Sequence, residues 1–125
     1  MKSDITILYV DDEPINLFLF NQLFGKKYKV LTADSGYAGL DIIEKNPQIE
    51  VVISDMKMPG MDGLEFITKA KELYSKMHYY ILTSYDITPE IDNALKTRLI
   101  DKYFQKPFNL KEIESSISEK LNYSI

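Results

Sequence analysis

Five short β-rich runs punctuate the chain, at Ile5 to Val10, Tyr28 to Ala33, Val51 to Ser54, Tyr79 to Thr83 and Lys102 to Phe104. Each has the length of a strand, and the stretches between them are long enough for helices. The pattern predicts five strands alternating with five helices. Ile5 to Val10 and Val51 to Ile53 run on without polar alternation, as expected of parallel strands covered on both faces. Between the first two strands, Pro14 suits an opening helical turn, and Leu17, Phe20, Leu23 and Phe24 then recur on one face, which is expected to pack on the sheet. Asp62 with Glu65 and Asn109 with Glu112 have capping-box spacing, and Thr88 precedes Pro89 at a first helical position. Leu110, Ile113, Ile117 and Leu121 form the apolar stripe of the last helix. The implied architecture is α/β, a three-layer sandwich with a doubly wound parallel sheet and right-handed crossovers. Such sheets hold ligands at the carboxyl ends of their strands, so the polar residues there carry the functional information.

With 125 residues, the chain has the length of one domain, and no internal repeat, low-complexity tract or linker divides residues 1–125. Apolar residues make up 45% and charged residues 27%, a globular balance. A net charge of -4 offers no broad attraction to nucleic acid or anionic lipid, so neither direct nucleic-acid binding nor membrane anchoring is expected. No apolar stretch approaches the roughly 20 residues of a spanning helix. The start, Met1-Lys2-Ser3-Asp4, lacks the apolar segment of a secretory signal, and with no cysteine present a cytoplasmic location is expected.

Acidic residues close the first and third predicted strands: Asp11, Asp12 and Glu13 after Val10, and Asp55 after Ser54. Adjacent strand ends would bring these carboxylates together, where their repulsion calls for a cation. Oxygen-only ligands without His or Cys favour a hard ion such as magnesium. A single Asp after a strand is ordinarily a turn or capping residue. That account does not extend to the hydroxyl of Thr83 and the ammonium of Lys106, which close two further strands. A carboxylate, a metal, a hydroxyl and a lysine around one crevice supply what a phosphoryl group needs, with Asp55 as nucleophile.

These residues lie in segments that resemble the receiver domains of bacterial response regulators in two-component signalling. The segments are Val10-Asp11-Asp12-Glu13-Pro14, Ser54-Asp55-Met56-Lys57-Met58-Pro59-Gly60-Met61-Asp62-Gly63, Leu82-Thr83-Ser84 and Lys106-Pro107-Phe108. The resemblance implies a flavodoxin-like fold with strand order 2-1-3-4-5. It implies that Asp55 accepts a phosphoryl group from a sensor histidine kinase or phosphotransfer protein in a Mg2+-dependent reaction. Asp12 would bind the metal directly, Asp11 would assist, commonly through water, and Asp55 and the backbone carbonyl of Lys57 would complete the protein ligands. Thr83 and Lys106 would contact the phosphoryl oxygens, and Tyr103 would be an aromatic switch responding with Thr83. Lys57 and Tyr85 flank the position that governs phosphoryl lifetime, with Tyr85 the better shield against water. The Lys106–Pro107 bond is cis in the family. A homodimer through the fourth helix, fifth strand and fifth helix is a family habit, although for Asp92, Lys96, Arg98, Asp101 and Lys102 a solvated face is the preferred reading. Leu99 and Ile100 replace a usual small pair, so an altered turn into the fifth strand is expected, while Ser84 is a mild change.

Other functions fit less of the sequence. A phosphatase of the haloacid dehalogenase type needs a second Asp two residues after its nucleophile, where this chain has Lys57. A pseudo-receiver would lack one of Asp12, Asp55 or Lys106, and a nucleotide-binding flavodoxin-like protein would have a glycine-rich loop after the first strand. His78, the single histidine, is read as a surface or hydrogen-bonded residue, and most of the tyrosines and phenylalanines as core. Gly60 and Gly63 are both expected to be free to take positive φ in the turn after Asp55.

Overall fold

A computed structural model describes residues 4–84 and 86–121. Strands β1 (Thr6–Val10), β2 (Lys29–Ala33), β3 (Val51–Asp55), β4 (His78–Thr83) and β5 (Lys102–Gln105) alternate with helices α1 (Pro14–Phe24), α2 (Gly36–Lys45), α3 (Gly63–Leu73), α4 (Pro89–Lys96) and α5 (Leu110–Leu121). All pairings are parallel, in the order β2-β1-β3-β4-β5, as the family resemblance implies. β1 and β3 are buried at every residue, which explains why their sequences do not alternate, whereas the edge strand β2 is partly exposed.

Two apolar layers enclose the sheet. On one face Phe20 and Phe24 of α1 and Ile113 and Ile117 of α5 pack with Ile7, Tyr9 and Ile53. On the other, Ile43 of α2, Phe66 and Ile67 of α3 and Ile91 of α4 pack with Leu8, Val52 and Ile81. Among the described residues no helix is long and apolar enough to cross a membrane.

The capping signals operate as their spacing predicts. Asp62 and Glu65 exchange side-chain and backbone hydrogen bonds in a full capping box, Thr88 accepts from the Ile91 amide, and Asn109 accepts from the Glu112 amide. α2 begins without any of these predicted signals, on Ser35, whose hydroxyl accepts from the Ala38 amide.

Two expectations are corrected. Leu23 is exposed, not part of the buried face of α1: residues 20 and 24 meet the sheet one turn apart, and Leu23 is rotated off that line. The turn after Asp55 uses positive φ at Gly60 only (φ 81°). Gly63 instead opens α3, and a Cβ there would lie 2.3 Å from the carbonyl oxygen of Asp55. Its missing side chain is a matter of close approach between helix and strand.

The expected alteration before β5 is a left-handed Arg98 (φ 63°) closing α4. The Arg98 and Leu99 amides donate to Leu95 and Ala94, the paired bonds of a helix-ending motif usually made by glycine. The Lys71 ammonium on α3 donates to the carbonyls of Arg98 and Leu99, tying this turn to the neighbouring helix.

Candidate functional site

The register decides which strand ends meet. Val10 pairs with Ser54 across β1 and β3, so Asp11 and Asp55 emerge side by side, with Asp12 one residue further. Asp55 pairs with Leu82, which brings Thr83 to the same edge, and the Lys106 amide donates to the Thr83 carbonyl at 2.7 Å. The Lys106–Pro107 peptide is cis, and the Lys106 Nζ lies 3.0 Å from Asp11 Oδ2 and 3.4 Å from Asp55 Oδ1. Residues distant in sequence thus converge at one end of the sheet.

One carboxylate oxygen from each of Asp11, Asp12 and Asp55 lies within 4.8 Å of the others. Three acids facing one ammonium leave the pocket with excess negative charge, and its donors are all oxygen. A hard divalent cation fits both features. Burial raises the Asp55 carboxyl from 3.8 to about 6, opposed by Lys106 and reinforced by Asp11, while the Met56 amide donates to its Oδ1 at 2.9 Å. A carboxylate kept charged against this preference favours a bound cation.

Asp11 is wholly buried and meets four donors. Its Oδ2 accepts from the Tyr9 hydroxyl at 2.6 Å, the Asn16 amide at 3.1 Å and the Lys106 ammonium at 3.0 Å, while its Oδ1 accepts from the Glu13 backbone at 2.9 Å. Burial, and then the bond to Asp11, push the Tyr9 hydroxyl well above the ordinary tyrosine range, so it remains a donor. Sequence reasoning assigned Tyr9 to the core and passed over Asn16. The available signal was a tyrosine in the otherwise aliphatic end of β1, two residues before Asp11 and therefore on its side of the strand.

The remaining predicted residues are placed as follows. Thr83 is buried at the end of β4, and a cavity of about 260 Å3 lined by Met56, Lys57, Thr83, Thr88, Glu90 and Ile91 opens beside it. Lys57 is exposed at the rim, and Tyr103 is half-buried against the α2, α3 and α4 side of the core. Tyr85 lies outside the described residues. His78 is hydrogen-bonded, its Nδ1 3.2 Å from Asp101 Oδ2, at the opposite end of β4 from Thr83. Asp92 and Lys96 pair with each other on an exposed face.

The family model for the response regulator receiver domain matches residues 7–118. The sporulation initiation phosphotransferase F of Bacillus subtilis is 33% identical over 116 residues, covering 92% of this chain and 92% of the relative. The sensor histidine kinase RcsC of Escherichia coli is 32% identical over 118 residues, covering 94% of this chain, which spans only 12% of that kinase. Among solved structures, a response regulator receiver domain protein from Clostridium thermocellum is similar with a TM-score of 0.84 and 32% identity, covering 94% of each chain. The chemotaxis protein CheY4 of Vibrio cholerae also has a TM-score of 0.84, at 26% identity, covering 94% of this chain and 98% of that one.

Proposed function

This chain belongs to the response regulator receiver family, and from that membership we propose that Asp55 is the phosphoacceptor of a two-component signalling domain. The observation that carries the assignment is the convergence of Asp55 with Asp11 and Lys106 at the ends of three separate strands. In the transfer, a carboxylate oxygen of Asp55 attacks phosphorus, the donor's N–P bond breaks as the O–P bond forms, and the bonding pair leaves with the donor histidine nitrogen. Lys106 and the Thr83 hydroxyl hold the phosphoryl oxygens. Magnesium, held by Asp12 and Asp55 with the Lys57 carbonyl and with Asp11 assisting, would neutralise charge on those oxygens. Oxygen-only donors and the excess negative charge of the pocket support that choice of ion.

The domain's chemistry is limited to acquiring and losing its own phosphoryl group. Thr83 then closes on the added oxygen, and Tyr103 reorients beside it, altering the surface of α4 and β5. A sensor kinase or phosphotransfer protein is the donor, a reading supported by the names of the relatives. The same surface is where a homodimer would form, and a cytoplasmic location fits a chain without cysteine.

Acetyl phosphate with magnesium tests the acceptor. Intact mass spectrometry is expected to show one added phosphoryl group on the parent chain and none on Asp55→Asn. Equal labelling of both would reject Asp55.

A further inference from the structure

We propose that Tyr9 is a positioning residue of the phosphoacceptor pocket. By donating its hydroxyl to Asp11 it weakens that carboxylate's hold on both the cation and Lys106. The inference rests on reading Asp11, Asp12 and Asp55 as the cation pocket.

Tyr9 is fully buried in β1 between the aliphatic Leu8 and Val10, and its ring is stacked on Phe20 at a centroid distance of 4.2 Å and an interplanar angle of 12°. Packing would be served equally by phenylalanine. The hydroxyl is what distinguishes this residue, and it meets Asp11 Oδ2 at 2.6 Å, the length of a charge-assisted O–H···O bond. The place of Tyr9 in β1 sets the direction from which that donor arrives, while Phe20, itself stacked on Phe24 at 4.2 Å, packs against the ring.

Asp11 Oδ2 therefore divides its charge among Tyr9, Asn16 and Lys106. Two consequences follow for the pocket. A carboxylate oxygen crowded by three donors has little capacity left for direct metal ligation, so the cation falls to Asp12 and Asp55. Lys106 must also serve an incoming phosphoryl group, and it leaves Asp11 more readily when a tyrosine hydroxyl continues to satisfy the same oxygen. Tyr9 thus lowers cation affinity and speeds transfer.

Tyr9→Phe keeps the ring and removes the donor, with Phe20→Leu as the packing control. Proton NMR of the metal-free parent is expected to show a downfield, slowly exchanging tyrosine hydroxyl that is missing in Tyr9→Phe and retained in Phe20→Leu. Calorimetric titration with magnesium chloride is expected to show at least about threefold tighter binding in Tyr9→Phe, a change within the range of one hydrogen bond to a charged group. At saturating magnesium the same variant should accept phosphate from acetyl phosphate several-fold more slowly, so the metal requirement and the limiting rate move in opposite senses. Magnesium affinity that is unchanged or weaker in Tyr9→Phe, or an equal gain in Phe20→Leu, overturns the role of Tyr9. A parent chain that binds no magnesium overturns the underlying pocket assignment instead.

Discussion

At the scale of single residues, the acidic pocket carries an electrostatic cost that the rest of the fold supports. The Asp55 carboxyl is raised from 3.8 to about 6, so folding favours its protonated form. That contribution to stability is fully present below the unfolded value and is lost as pH rises through about 6. At neutral pH, Asp55→Asn should therefore stabilise the metal-free protein, by about 1–2 kcal/mol after allowing for the solvent that reaches the side chain. Thermal melts across this pH range are expected to show the advantage shrinking toward acid, and a constant difference would refute the electrostatic cause. The acids, Thr83 and Lys106 were legible as a group because they fall at the ends of four separate β-rich runs, and turn or capping roles explain single acids but not the added hydroxyl and ammonium. Tyr9 was not legible, because a buried aromatic ring accounts for a tyrosine in a strand before its hydroxyl is considered.

At the scale of elements, legibility depended on whether hydrophobic pattern and burial coincide. They do in α5, where Ile113 and Ile117 are wholly buried as the stripe predicts. They do not in α1, whose sequence Pro14 to Phe24 contains no charged residue, so no polar face marks the side turned to solvent. Ile15, Phe18, Leu19 and Leu23 are all exposed there, while Phe20 and Phe24 are sealed beneath them. Leu23→Ala is expected to change stability by less than about 1 kcal/mol. Phe24→Ala, which empties a site against Phe20, Tyr28 and Phe108, should cost about 3–5 kcal/mol. Urea unfolding of the two variants checks the contrast, and equal losses would restore Leu23 to the buried face. An altered turn after α4 was expected, but its form was hidden: Arg98 adopts a left-handed conformation that its residue type disfavours, and tertiary partners, the Lys71 bonds among them, stabilise it.

At the scale of the whole molecule, the hydrogen-bonded strand ends offer a route for coupling between the pocket and Tyr103. Lys106 directly follows β5, which begins at Lys102 and contains Tyr103, and its amide is bonded to the Thr83 carbonyl, joining the ends of two neighbouring strands. Beryllium fluoride with magnesium, a stable phosphoryl mimic, is expected to shift amide NMR signals from Asp55 through Thr83 to Tyr103. Shifts confined to residues 11, 12 and 55 would reject this coupling. The contact between Lys106 and Asp11 spans 95 residues. On a ribosome, a nascent chain carries all three acids of the pocket well before it carries the lysine that sits among them. Chains stalled before β5 are expected to take no label from acetyl phosphate, and labelling equal to that of the full chain would remove Lys106 from the transfer. The order of the strands makes this lysine the last of these four side chains to be synthesised.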